Sequence, residues 1–509
     1  MDPTESVAQA GRRGSTLVMP LRPVAVDWTV PQVRRRRLRP VPPGWPLFCA
    51  TALFLLWWVL GLGSFVFVIF AIPMAIDLLR RDRVLVPPWF GLWLLFLIWS
   101  IAGFVVIGAD APNTLPVHFS HGIPSIGLRT LQYLAATIVL LYVGNLSEDD
   151  VPRIKVVRWL GALFVTALFG GFVALAKPGI SFTSPIEHVL PHAIKANQNV
   201  DALFHPAVAQ VMSVIGTADV RPKMPFEYTN AWGNNLSVLL LWFVVAALVY
   251  GKARTRLLGI GVLAISIVPI IYSLNRGLWI GLMLAAIYVA VRLAVRGKLL
   301  MLGLLVLGGV LIAGSFLVTP LGSIVSARLN EGHSNQVRES LTQDAIHGAL
   351  NSPVLGWGTT RDGVGSESSI AVGQTADCPR CGNRTIGSNG QLWNVLFSQG
   401  FVGAGLFVGF LALTLWQYRH DVTPIGLAGQ SVVLLSLLYM FVYVGISSSL
   451  SIMMLSIGLL WRNAQAHRVG LPDPQRPDPR AGRRRQRVPV PAPPRHQGRS
   501  GPVGEQRAA

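Results

Sequence analysis

Arg276 stands between two strongly apolar runs, LLGIGVLAISIVPIIY before it and GLMLAAIYVAV after it, within the stretch SLNRGLWIGL (273–282). A guanidinium is permanently charged, and its planar fork of donors grips oxyanions with paired hydrogen bonds. Where two membrane spans meet, such a side chain either snorkels to the interface or faces a polar cavity inside the bundle. Three further segments bring polar side chains to the ends of apolar runs. FEYTNAWGNN (226–235) opens a span with Glu227, Asn230, Asn234 and Asn235, which read either as helix caps or as the lining of a polar pocket. RESLTQDAIHGALNSPVLGWG (338–358) begins with Arg338, and its Leu341, Ala345 and Ala349 recur at helical spacing, so it reads as an amphipathic surface helix. Asn351-Ser352-Pro353 ends that helix and Gly356-Trp357-Gly358 makes a tight turn. Arg338 would then sit at the helix start, an unfavourable end for a cation. SNGQLWNVLFSQGFVGAGLF (388–407) carries Asn389, Gln391 and Asn394 into a late span, ahead of Gly400, Gly403 and Gly405, whose small size is expected to let neighbouring helices approach.

The elements that must position these residues are membrane helices. The chain has 509 residues, 13% of them charged, and a mean hydropathy of +0.51. Runs of about 20 apolar residues recur, the length that crosses roughly 30 Å of hydrocarbon, and the alternation of a barrel is absent. Candidate spans are 46–61, 63–79, 87–108, 125–144, 159–176, 230–250, 257–274, 277–295, 299–319, 391–416, 425–444 and 446–461. The fold class is therefore an all-α polytopic membrane protein with about twelve transmembrane helices. Arg34–Arg37 precede the first two spans and Arg80, Arg81 and Arg83 follow them, so this pair forms a hairpin with both ends in the cytoplasm. The same orientation places RIKVVR (153–158), KARTR (252–256), RGK (296–298) and both tails inside, which accounts for most of the 43 Lys and Arg residues. Two long segments, about 177–229 and 320–390, are left outside, where function usually sits.

A formal charge of +20 would point to nucleic acid in a soluble chain, but here it is concentrated in the tails and short loops, so no nucleic-acid partner is expected. Residues 1–44 and 463–509 are basic and rich in Pro, Gly and Gln; they are expected to be disordered cytoplasmic tails that set orientation and attract anionic membrane lipids. Residues 45–462 form the membrane domain, with its core motifs in 226–405 and its large extracytoplasmic loop at 320–390. No cleavable signal peptide is expected, because the first apolar run starts late and lacks a small-residue cleavage site. Of the three cysteines, Cys49 falls in the first span as a packing residue. Cys378-Pro379-Arg380-Cys381 looks like one zinc knuckle, yet no second pair exists to complete a structural site. A local disulfide in the oxidising outer compartment is the expectation, with zinc held by histidines and free thiols as the alternatives, and no metal or cofactor is assigned. Among the outer basic residues, Lys177, Lys195, Arg361, Arg380 and Arg384 are expected to be solvated in loops.

In this order the segments resemble the O-antigen ligase and polymerase superfamily of surface-glycan assembly. The resemblance covers roughly 226–405 and rests on the Asn-rich start of a middle span, the Ser-x-x-Arg-Gly turn, the Arg-led surface helix ending in Pro-x-x-Gly-x-Gly, and the polar start of a late span followed by Gly-x-x-Gly. It implies a multi-pass protein of the cytoplasmic membrane and a metal-independent inverting glycosyltransferase. The donor would be an undecaprenyl-diphosphate-linked oligosaccharide and the acceptor a glycan or a second lipid-linked repeat. Arg276 and Arg338 would hold the diphosphate, with Asn230, Asn234, Glu227 and Gln391 around the substrate. Ligases of the family carry a histidine nine residues before the Gly-x-x-Gly, and Asn389 stands at that position here. An amide is no base near neutral pH, so the proton must go elsewhere, with Glu339, Asp344, His333 and His347 in the same loop as candidates. The rival readings are a transporter or flippase of the same lipid-linked glycans and a catalytically inactive member of the family.

The orientation has a direct check. Cysteines introduced near 365 are expected to react with an impermeant reagent on intact cells and those near 480 to stay protected; labelling of the 480 site alone would reverse the topology.

Overall fold

The computed structural model describes residues 42–117, 119–191, 203–213, 218–318, 321–330, 333–363, 385–471 and 474. Residues 43–509 belong to one compact unit; of the preceding unit, 1–42, only Pro42 is described. In chain order the helices are α1 (Trp45–Ala52), α2 (Phe54–Val59), α3 (Val66–Leu79), α4 (Phe90–Ala102), α5 (Phe119–Asn145), α6 (Arg153–Ala176) and α7 (Pro185–Val189). A two-stranded antiparallel hairpin follows, β1 (Ala209–Ser213) and β2 (Ala218–Pro222), with Val211 paired to Val220. The remaining helices are α8 (Thr229–Val244), α9 (Ala253–Tyr272), α10 (Arg276–Ala294), α11 (Leu299–Val318), α12 (Leu321–Asn330), α13 (His333–Asn351), α14 (Gln391–Tyr418), α15 (Pro424–Tyr439) and α16 (Ser448–Arg468). The fold is mostly helical, and among the described residues 6 helices are long and apolar enough to cross a membrane.

At the centre of the bundle lies α16, buried along nearly its whole length. It packs on α5 and α15, and α8 packs on α6. Small side chains make the close approach possible: Trp242 donates its indole N–H to Ser456 Oγ (2.9 Å), and Gly458 lies against the Leu140 carbonyl. One apolar core joins α1, α3, α5, α6, α8, α15 and α16, and a second fills the space between α4, α5, α14 and α16, with Trp93, Phe96, Tyr133, Phe407 and Phe410 in mutual edge and tilted ring contact. At the periphery, α10 turns Ile280, Met283, Ile287 and Val291 outward and keeps Leu278, Gly281 and Ala285 buried, the division expected of a helix with one face in lipid.

Several expectations shift. The span 46–61 is not one helix, because the chain breaks at Leu53 and the Trp57 indole donates to the Cys49 carbonyl (3.0 Å). RIKVVR is not a loop: it forms the first turns of α6, and Arg153 is 1% exposed, paired with Glu148 (2.9 Å) and donating to Asn463 Oδ1 (2.8 Å). Glu148 also takes Arg462 (2.9 Å), so helix packing is bought here with a buried ion network that ties the end of α16 to the start of α6. That network carries α16 on to Arg468, past the tail boundary expected at 462. Arg361 is buried rather than solvated, donating to the carbonyls of Ile107 (2.7 Å) and Trp357 (3.1 Å). Lys177 is exposed as expected. Lys195, Arg380, Arg384, Cys378 and Cys381 lie outside the described residues.

The Gly-x-x-Gly reading also changes. Gly400 does not serve helix contact; it adopts φ 66 inside α14 and breaks that helix. The break frees carbonyls that the Pro-x-x-Gly-x-Gly turn then satisfies: Trp357 N–H donates to Phe397 O (3.0 Å) and Gly358 N–H to Ser398 O (2.8 Å), while Phe401 N–H donates back to Pro353 O (2.8 Å). A Cβ on Gly400 would lie 2.5 Å from the Pro353 oxygen. Gly405, by contrast, faces open space. The two glycine motifs are thus halves of one joint. Gly400→Ala is expected to lower stability by about 1–3 kcal/mol from the dihedral alone, with the clash in addition, read as an earlier unfolding midpoint in detergent.

Candidate functional site

The turn Ser273–Arg276 gathers four arginines from four elements. Arg221, on β2, donates from Nε to the Ser273 carbonyl (2.9 Å), and Arg328, near the end of α12, donates from Nε to the Leu274 carbonyl (3.0 Å). Arg338 lies inside α13 rather than at its start, because that helix begins at His333, and it donates to the Val442 carbonyl (3.0 Å). Arg276 opens α10 and is half-buried, within Coulombic reach of Arg338. Arg221 and Arg328 are both buried. Burial first, then the charge of Arg328, push the Arg221 pKa down to about 10; Arg338 adds to this, and Tyr443 and Asp219 oppose it. Arg338 is lowered as well, by burial and by Arg276. Like charges so placed repel, and the carbonyls that accept from Arg221, Arg328 and Arg338 offset part of that cost.

A second feature is the loop Met440–Ser447 between α15 and α16. Its Val442 carbonyl receives Arg338, and its Tyr443 hydroxyl is hydrogen-bonded to Asn275 Oδ1, which also caps α10 through Leu278 N–H (3.4 Å). Gly277 makes room for the Tyr443 ring, since a Cβ there would strike the hydroxyl. Gln391 grips the same loop on both sides: its N–H donates to Tyr443 O (2.8 Å) and its Oε1 accepts Gly445 N–H (3.0 Å), while its Nε2 donates to the Tyr133 hydroxyl (3.1 Å). Ser447 and Ser448 donate to the two oxygens of the buried Glu227 carboxylate (2.7 and 3.3 Å). Leu274 and Ser447 both hold positive φ (52 and 67), a strained conformation for residues with a Cβ. The starts of α8, α10, α14 and α16 therefore meet around one loop, and helix starts carry partial positive charge.

The sequence-predicted residues divide on this geometry. Arg276 and Arg338 are brought together. Glu227 and Gln391 join them through the loop, as positioning groups. Tyr228, not an asparagine, occupies the cap position of α8, so the asparagines do not act as caps. Asn235 donates to Ser448 Oγ (3.2 Å), and Asn234 lines a partly open cavity with about 410 Å³ of empty space, shared with Gln391, Tyr439, Tyr443 and Ser449. Asn230 is half-buried and is not among the residues lining that cavity. Asn389 donates from Nδ2 to the Arg338 carbonyl (3.1 Å) and to Thr342 Oγ1 (2.8 Å), which clamps α13 to the start of α14. Glu339, Asp344 and His347 are exposed on α13. Arg221 and Arg328 escaped the sequence reading, because each sits in a polar segment where an arginine is ordinary; the only local sign was Arg221 alternating with Asp219 in a short extended run.

No protein-family model matches the chain, and no curated protein matches it either.

The cap at the arginine turn is open to measurement. Asn275→Ala removes both the cap and the Tyr443 contact and is expected to cost at least the roughly 0.5–2 kcal/mol of a lost N-cap, whereas Asn275→Ser, which keeps a capping oxygen, should unfold at a higher temperature than the alanine variant.

Proposed function

We propose that this protein transfers or polymerises a glycan carried on undecaprenyl diphosphate, at the outer face of the cytoplasmic membrane. The observation that carries the reading is the convergence of Arg221, Arg276, Arg328 and Arg338 on one turn at a bundle of helix starts. A cluster of guanidiniums suits a multivalent anion, and a diphosphate presented at the end of a lipid reaches it from the exposed apolar face of α10. The chemistry is inverting and needs no metal: an acceptor hydroxyl attacks the anomeric carbon, the bond to the diphosphate breaks, and the electron pair leaves on the phosphate oxygen. Fixed cations in a low-dielectric site stabilise that developing charge. In this reading about twelve spans cross the membrane, the arginine end faces outward and the buried Arg153–Glu148–Arg462 network lies at the cytoplasmic end. The four-arginine convergence likewise favours catalysis over an inactive scaffold, and Asn389 takes a positioning role.

Arg276→Ala and Arg338→Ala are each expected to reach the membrane in normal amount and to lower glycan output by about tenfold to a hundredfold, the equivalent of a charge-assisted contact. Arg276→Lys should also be impaired, because the ammonium loses the fork geometry, and the double variant should be little worse than the worse single one. A well-expressed Arg276→Ala protein with normal output would overturn the assignment. In a deletion strain, loss of long chains with single repeats retained identifies a polymerase; full-length glycan left on its lipid carrier identifies a ligase. Lipid-linked repeats trapped inside would identify a transporter.

A further inference from the structure

The cavity lined by Asn234, Tyr439 and Ser449 lies among α8, α15 and α16, with Phe407, Leu411 and Met453 on its apolar side. Ser449 is 6% exposed, and its hydroxyl is buried with no hydrogen-bond partner among the described residues. A hydroxyl so placed costs stability unless something completes it. Hydrogen-bonding groups surround the same space. Tyr439 donates to Ser237 Oγ (2.9 Å), which keeps a lone pair on the phenolic oxygen for a further donor, and Ser237 Oγ donates to the Asn234 carbonyl (2.7 Å). Asn234 adds a carboxamide that can both donate and accept. The volume open to the centre of a water molecule is about 30 Å³. One water needs roughly 10–15 Å³ by that measure, so the cavity has room for about two and is too small for a saccharide ring or an acyl chain.

We propose that this cavity is a buried water site, in which bound water accepts from the Ser449 hydroxyl and bridges it to the Asn234 carboxamide and the Tyr439 oxygen. A buried water is held by roughly two to four polar partners, and these three side chains supply that number. The apolar side confines the water to the polar end, since nothing there can hydrogen-bond to it. Met440, Tyr443 and Gly445 of the loop Met440–Ser447 border the same cavity, so the loop that receives Arg338 rests on bound water as well as on side chains. The inference stands apart from the glycan-transfer reading, and it gives Asn234 water rather than substrate as its ligand.

The test is radiolytic labelling of the full-length protein in detergent: a brief X-ray pulse splits bound water, the hydroxyl radicals oxidise the side chains beside it, and mass spectrometry reads the sites. Tyr439 and Tyr142 are equally buried, each 2% exposed, and of the two only Tyr439 lines the cavity. Tyr439 is expected to oxidise severalfold faster than Tyr142. Equally slow labelling of the two would mean a dry cavity and overturn the inference without recourse to any variant. Asn234→Leu keeps the size of the side chain but removes its polar atoms, and Ser449→Val fills the space with methyl groups; each should bring Tyr439 down toward the Tyr142 rate. Tyr439 labelling that stays high in both folded variants would show that bulk solvent reaches the ring, and the water site would fall.

Discussion

The loop Met440–Ser447 is the constraint on which the arginine end of the bundle depends. It separates two helices that are apolar enough to run almost into one another, and it is held from several elements, by Arg338 of α13, Asn275 at the cap of α10, Gln391 and Trp393 of α14 and Glu227 ahead of α8. The strained φ of Ser447 is tolerated because Glu227 and the Ser64 carbonyl hold its side chain. A loop satisfied from four directions has one conformation, and so do the groups that hold it. The site is consequently preorganised, which a binding site for a charged leaving group requires.

That order is obtained against electrostatics. Burial first, then the neighbouring guanidiniums of Arg328 and Arg338, depress the Arg221 pKa, and Arg221, Arg328 and Arg338 donate to backbone carbonyls of the turn and the loop. Carbonyl dipoles soften the cost of burying a cation without cancelling its charge. At the opposite end of the bundle Arg153 and Arg462 share the one carboxylate of Glu148, so part of the cost of burying them is offset there by direct ion pairing. Arginines at both ends are buried.

The middle of the molecule is governed by packing of small residues. Gly277, Ser456 and Gly458 admit tyrosine, tryptophan and backbone neighbours, and the break at Gly400 lets the turn at 353–358 lock into α14. With α13 fastened by Asn389 at one end and by this joint at the other, Arg338 is held at a defined depth over the turn. The Asn389 amide thus serves geometry, fastening α13 to α14.

Apolar run length and helical spacing were enough to read a helical membrane protein, the surface helix with buried Leu341, Ala345 and Ala349, and the turn at Gly356–Gly358, because each depends on neighbours within a few residues. Arg276 stood out as a charge between two apolar runs, whereas the reason for singling out Arg338, its place at a helix start, did not hold, because α13 begins at His333. The central position of α16 was not legible: its serines and its Arg462 make it less apolar than the lipid-facing α10, yet protein rather than lipid surrounds it. Nor could sequence show that Arg221, Arg328 and the loop Met440–Ser447 come together, since each finds its partners far along the chain. Local pattern determined which segments are helices and which residues are chemically out of place; only the tertiary structure decided which of those charges come together and what each one touches, because Coulombic and hydrogen-bond partners are set by distance in space.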